Sequence, residues 1–204
     1  MKNMLKDAGI LFLITLISGL LLGLVYQVTK DPIAIQEENA RQAARSEVFQ
    51  DADYFEDSEG FTEEAAQAVL NDGGFAQQSI NEYAAAMDKD GSILGYVITV
   101  TTHEGYGGDI KFTIGVREDG TLNGMSILSI SETPGLGMKA EEVLKPQFEA
   151  KKADSYAYTK DGASAADEID AITSATITTN AVTNGVNAGL YYFQTELKGG
   201  SGNE

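Results

Sequence analysis

The chain of 204 residues contains no cysteine. That absence excludes disulfides, thiolate nucleophiles, cysteine-ligated iron–sulfur clusters and thioether-linked haem. Histidine is almost as scarce: His103 is the only one. A histidine-rich zinc or copper site is thereby excluded, as is bis-histidine haem within one chain. His103 and Glu104 are neighbours, so on a strand they point to opposite faces and make a poor catalytic pair; both read as solvated or structural. No catalytic residue and no metal site is expected. Redox chemistry in this chain requires an organic cofactor. Basic residues are few, 14 against 31 acidic ones. Residues 30–204 hold 12 of the basic and 30 of the acidic residues, a net charge of −18. Such a surface repels nucleic acid and anionic lipid headgroups, so no nucleic-acid partner is expected. It suits a soluble domain standing off a membrane.

Charge of either sign is missing from residues 8–28, AGILFLITLISGLLLGLVYQV. At about 1.5 Å per residue these twenty-one residues span ~30 Å, the thickness of a bilayer core. The run is longer than the ~7–15 residue apolar region of a signal peptide, and no clear small-x-small cleavage site follows it. A single transmembrane helix is expected at about 8–28, within an N-terminal segment 1–29. Lys2 and Lys6 precede it; Lys30 follows and is neighboured by Asp31. The positive-inside rule therefore favours a cytoplasmic N-terminus and an extracytoplasmic body in the cell (inner) membrane.

Residues 30–75 read as a helical stalk and connecting segment. Pro32 suits a helix start, and Ala40, Ala43, Ala44 and Val48 recur at helical spacing. FTEEAAQAVL (61–70) predicts a second short helix, broken by NDGG. Residues 76–196 form the main domain. INEYAAAM and SILGYVITVTT flank DKDG as a hairpin, and GDIKFTIGVR returns through Asp119-Gly120 into TLNGMSILSI. Ile110, Phe112, Ile114 and Val116 point one way, Lys111, Thr113 and Arg117 the other, which predicts an antiparallel sheet with one side buried. A short helix is expected around 140–144. Residues 151–167 are polar and read as a surface loop. Val182, Val186, Leu190 and Phe193 then mark one face of a helix despite Gly185 and Gly189. Residues 197–204 read as a disordered tail. The fold class is α+β: an N-terminal transmembrane helix, then a twisted antiparallel sheet with packed helices.

DAITSATITT (170–179) holds five hydroxyls and no His, Lys or Arg. Without a base beside it, this run does not read as a hydrolase nucleophile. It sits at a helix start, where free backbone N–H groups and the helix dipole favour an anion such as phosphate. Ser174 and Thr176 could cap the helix, and capping alone would account for them; phosphorylation and O-glycosylation are further readings. ETPGLG (132–137) reads as a rigid turn and GYGG (105–108) as a turn or β-bulge. Tyr106 reads as a core residue, with stacking on a bound ring as the alternative.

Asp170-Ala171-Ile172-Thr173-Ser174-Ala175-Thr176 resembles the flavinylation motif Asp-x-x-Ser/Thr-Gly-Ala-Thr of the FMN-binding domain family, with Ser174 where the family usually has Gly. That family is shared by the G subunit of Rnf-type ion-translocating electron transport complexes and the C subunit of sodium-pumping NADH:quinone reductase. ETPGLG and GYGG stand in the family's order, and the single span with an Ala-rich helix resembles the layout of the Rnf member. The resemblance implies covalent FMN in phosphodiester linkage to Thr176, made from FAD by a separate flavin transferase that recognises Asp170. It implies cofactor contacts from Glu132, Thr133, Pro134, Gly135, Leu136 and Gly137 and from Thr173, Ser174 and Ala175. The partners implied are the other membrane subunits of an Rnf complex, which couples electron transfer between ferredoxin and NAD to Na⁺ or H⁺ translocation. The chain would be an electron carrier, not an enzyme by itself. The C subunit of the quinone reductase and a non-redox membrane-anchored sensory or scaffold domain are the alternatives.

Overall fold

The computed structural model describes residues 2–198 and divides into two units, residues 1–41 and residues 42–204. The first unit lies within helix α1 (Lys2–Val48). Its apolar stretch is exposed along its length and is long and apolar enough to cross a membrane. Its two threonine hydroxyls are spent internally: Thr15 donates to the Leu11 and Phe12 carbonyls, and Thr29 to those of Val25 and Tyr26. In lipid, where no water can take a hydroxyl proton, this is the available solution. Pro32 does not begin a new helix; it lies inside α1. Proline removes one N–H from the ladder, and the bonds on either side continue the helix past it.

The second unit is built on a meander. Strands β1 (Tyr54–Asp57), β2 (Gln78–Met87), β3 (Ile93–Thr102), β4 (Ile110–Arg117) and β5 (Leu122–Ser129) pair antiparallel in sequence order. The expected hairpins form, with Ile98 opposite Ile114 and Ile114 opposite Met125. Asp88 donates its N–H to the Ser92 carbonyl and Gly91 to that of Asp88, closing the first of them. Helix α2 (Glu63–Asp72) is capped by the Thr62 hydroxyl, which accepts the Ala65 N–H. Short turns Gly137–Lys139 and Lys145–Phe148 flank helix α3 (Ala140–Val143).

Helix α4 (Thr176–Tyr192) covers one sheet face. Val182, Val186, Leu190 and Phe193 are buried with Phe112, Ile114 and Val100, as their spacing predicts. Gly185 and Gly189 face the strands, and a Cβ on Gly185 would lie 2.7 Å from the ring of Phe112. The glycines are contact points with the sheet rather than helix breakers.

The opposite face is not solvated, as the alternation predicted. Val48 and Phe49 are buried against Val97 and Ala86. Glycines make the room: a Cβ on Gly95 would come within 2.7 Å of the Phe49 ring, and one on Gly115 within 3.0 Å. Arg45, 4% exposed, sits there between Asp57 at 2.7 Å and Glu82 at 3.5 Å, so its charge is neutralised where it is buried.

The polar stretch 151–167 is also more than a loop. Strands β6 (Ala157–Thr159) and β7 (Glu168–Asp170) pair in parallel and are pinned by buried Tyr156 and Ile169. Asn187 of α4 brackets the Tyr156 backbone with two hydrogen bonds of 2.7 and 2.9 Å. Leu197, assigned to the tail, is instead buried in the core at the end of the turn Phe193–Leu197. Residues 199–204 of that tail lie outside the described residues.

The Tyr156 hydroxyl is buried with no hydrogen-bond partner among the described residues. Burial pushes its pKa up to about 12, and burial, with Tyr83 and Glu196 nearby, does the same for Tyr192. Unfolded tyrosine ionises near pH 10. Ionisation of neither group costs the fold anything below pH ~10, where both are neutral folded or unfolded; as pH rises from ~10 toward ~12 the unfolded chain ionises first and stability is lost. Tyr156→Phe is expected to leave neutral-pH stability unchanged or raise it by up to about 1 kcal/mol, and to reduce the alkaline loss. Urea unfolding at pH 7 and pH 11 checks both signs.

Candidate functional site

Three segments far apart in sequence meet at one cleft of about 520 Å³. The loop Gly105–Gly108 between β3 and β4 contributes Tyr106. The turn after β5 contributes Glu132, Thr133, Leu136 and Gly137. The start of α4 contributes residues 174–178.

The turn after β5 is closed by the Leu136 N–H donating to the Thr133 carbonyl at 3.1 Å, with Gly135 at φ +77°. Positive φ is the reason for glycine at that position. Before α4, the Ala175 N–H donates to the Ile172 carbonyl at 3.0 Å, closing a turn through Thr173 and Ser174. Ser174 there has φ +64°, the left-handed region. No side chain caps α4. The expectation that Ser174 or Thr176 would cap is not met, because Ala175 holds the cap position. Thr179 instead stitches the turn to the helix, accepting the Ile172 N–H and donating to the Ala175 carbonyl. The first turn of α4, which lines the cleft, thus has no capping side chain, an arrangement suited to an anion.

The cleft is bordered by apolar side chains left in water. Tyr106 is 70% exposed and Ile177 52%, and Leu136 is partly exposed beside them. Tyr106 is therefore a rim residue rather than the core residue expected. A flat apolar group with an anionic end matches such a lining, which combines exposed apolar side chains with a helix start that no side chain caps.

The sequence-predicted residues divide. Glu132, Thr133, Leu136, Gly137, Ser174, Ala175 and Thr176 line the cleft; Pro134, Gly135, Thr173 and Asp170 do not. Asp170 is exposed at the end of β7. Its Oδ1 accepts the Ala163 N–H at 2.6 Å, and the Gln147 amide brackets its backbone. Tyr106 lines the cleft as well, and Ile177 and Thr178 line it with no motif to announce them. Ile177 carried a signal: its spacing takes it off the buried face of α4. His103 Nδ1 lies 2.9 Å from Asp109 at the foot of the 105–108 loop. Glu104 accepts from Gln78 and Asn184 and is structural.

Ser174→Gly is expected to stabilise the chain. The left-handed conformation costs an L-residue ~1–2 kcal/mol and glycine's unfolded-state freedom returns ~0.4–1, leaving a net gain of about 0.5–1 kcal/mol. Urea unfolding of the two chains compares them; a loss of stability would contradict the strain.

Residues 105–191 match the FMN-binding domain family, and residues 1–48 match the RnfG N-terminal region. The matched domain is an FMN-binding domain that follows a membrane-type helix in the chain. The G subunit of the Na(+)-translocating ferredoxin:NAD(+) oxidoreductase complex of Acetobacterium woodii is 31% identical over 198 residues, covering 95% of this chain and 93% of that one. The G subunit of the proton-translocating ferredoxin:NAD(+) oxidoreductase complex of Clostridium ljungdahlii is 34% identical over 190 residues, with coverages of 89% and 90%. The crystal structure of Shewanella oneidensis NqrC superposes with a TM-score of 0.46 at 20% identity, covering 56% of this chain and 58% of that one. The chain belongs to the RnfG family, the G subunits of ion-translocating oxidoreductase complexes.

Proposed function

We propose that this chain is the membrane-anchored FMN subunit of an Rnf-type complex, relaying electrons between ferredoxin and NAD within an assembly that moves Na⁺ or H⁺. The observation that carries the reading is the convergence of residues 105–108, 132–137 and 174–178 on one cleft at an uncapped helix start. The match of residues 1–48 to the RnfG N-terminal region favours this complex over the quinone reductase.

Thr176, first residue of α4, is the proposed attachment point, with the flavin phosphate in phosphodiester linkage to its hydroxyl. The first-turn N–H groups of α4 would hold that phosphate. Leu136 and Ile177 would border the ring, and the Tyr106 loop would limit its contact with water. FMN when bound supplies the electron transfer; the chain supplies position and electrostatics. Asp170, exposed on β7, belongs to the surface that an FAD-dependent flavin transferase reads. Lys2 and Lys6 ahead of the span support a cytoplasmic N-terminus and an extracytoplasmic FMN domain. A carrier outside the cytoplasm would lose dissociated FMN, which gives covalent attachment its purpose.

The test is the chain from native membranes on a denaturing gel under ultraviolet light, followed by its intact mass. A fluorescent band heavier than the bare chain by one FMN less one water is expected. A dark band at the bare mass, from cells with an active transferase, would return the 170–179 hydroxyls to structural roles.

A further inference from the structure

Glu132 is 5% exposed, and both its carboxylate oxygens are taken up by the other two segments of the cleft. Oε1 accepts the Gly107 N–H at 3.2 Å, 25 residues upstream. Oε2 accepts the Thr178 hydroxyl at 3.0 Å, 46 residues downstream. Two glycines shape themselves around the same group. A Cβ on Gly105 would lie 2.8 Å from Oε1, and a Cβ on Gly137 would lie 2.7 Å from Oε2 and 2.5 Å from Thr178 Oγ1. Glycine at 137 leaves volume that the carboxylate and Thr178 fill, and glycine at 105 leaves room both for Oε1 and for the Gly108 carbonyl, which a Cβ there would meet.

We propose that Glu132 is a positioning residue rather than a contact for the flavin ring: its carboxylate clasps the 105–108 loop to the first turn of α4 and so sets the width of the cleft. The functional half of this inference rests on the reading that the cleft holds FMN; the clasp itself does not. Helix α4 is a fixed post, because Gly185 and Gly189 seat it closely on β3 and β4. The 105–108 loop, with three glycines and an exposed tyrosine, has no helix or strand ladder of its own to fix it. A carboxylate that takes an N–H from one side and a hydroxyl from the other transmits the position of the post to the loop. Hydrogen bonds to a carboxylate are among the strong ones, and losing either partner leaves a buried polar group unmet.

The test uses the full-length chain in two forms, the native flavin-bearing chain and a flavin-free Thr176→Ala background. Glu132→Gln keeps the side chain's size but turns one acceptor into an NH₂ group that must face a donor. In the flavin-free background, hydrogen exchange at the amides of residues 107 and 108 is expected to speed up roughly tenfold or more, while the amides of β3 and β4 keep their rates. In the flavin-bearing chain, iodide quenching of flavin fluorescence is expected to rise about threefold, and the visible circular dichroism of the flavin to fall, as the ring gains freedom. Thr178→Val should move all three readouts in the same direction, and Thr178→Ser should restore them. The valine variant decides the matter if the glutamine variant does not fold. Unchanged exchange at residue 107 together with unchanged flavin dichroism in both variants would overturn the proposal. A native chain that bears no flavin would defeat the functional reading alone, because the exchange measurement decides the clasp without it.

Discussion

Thr176→Ala is expected to produce a chain at its bare mass, dark under ultraviolet light, with its fold and stability kept. The expectation rests on which hydroxyls around the start of α4 are already committed. Thr178 donates to Glu132, Thr179 to the Ala175 carbonyl and Thr183 to the Thr179 carbonyl. These three are buried and structural. The Thr176 hydroxyl, at the cleft wall, makes no hydrogen bond among the described residues. Removing it therefore leaves no partner unmet, and the stability change should stay within about 0.5 kcal/mol. Thr173 and Ser174 are exposed and equally uncommitted, so they are the proper controls. Thr173→Ala and Ser174→Ala should keep the flavin mass. Intact mass spectrometry of the three variants expressed with the transferase separates them. Flavin retained in Thr176→Ala would remove the attachment assignment, and flavin lost in Ser174→Ala alone would move it upstream to the turn.

Gly185→Ala should destabilise the domain by up to about 2 kcal/mol, against the sign that helix propensity predicts. In an open helix, glycine to alanine gains about 1 kcal/mol. Here the added Cβ would lie 2.7 Å from Phe112 Cζ and 3.0 Å from its Cε1, with Thr102 Cβ at 3.5 Å. Phe112 is fully buried on β4, so its ring has nowhere to turn. Inserting a methyl group into such a contact costs ~1–3 kcal/mol through strain and backbone shift, which outweighs the propensity gain. The helix must lift, and Gly189 would lose its seat against Ile114, 2.5 Å from a Cβ there. Because α4 begins at the cleft, the same lift should disturb the flavin's visible circular dichroism. Gly124→Ala is the control: its Cβ would meet only Glu149 Cγ at 3.8 Å and should change stability little. Urea midpoints of the two variants read the difference. A stabilised Gly185→Ala chain would mean that α4 does not rest on the sheet this closely.

The elements that could be read ahead of the structure share one property: their signal lies within about twenty residues. The span at residues 8–28 is a matter of length and apolarity alone. The hairpins β2–β3 and β4–β5 are set by alternation on both sides of a local turn, and the buried face of α4 by spacings of three and four. Elements whose signal is short or shared escaped. Strands β1, β6 and β7 are three or four residues long, too short to show a period. Covering of the second sheet face depended on Gly95 and Gly115, diagonal neighbours on β3 and β4 (Gly95 lies opposite Arg117 and Gly115 opposite Val97), which no single strand displays. Pro32 read as a boundary because proline's local rule is statistical, and a long helix passes over it.

The candidate site divides in the same way. Sequence by itself determined that any redox group must be organic, that a hydroxyl-rich run opens a helix and that three short motifs belong to one family. Only the tertiary structure decided that those motifs form one wall, that Ser174 occupies a left-handed turn position suited to glycine, that Tyr106 stands on the rim and that Glu132 points between the other two segments rather than standing alone. The reason is the distance over which the information acts. Turn chemistry and helix periodicity are carried by neighbours in the chain, whereas the Gly107–Glu132–Thr178 contact joins residues 25 and 46 positions apart, and its geometry exists only once the sheet and α4 have packed.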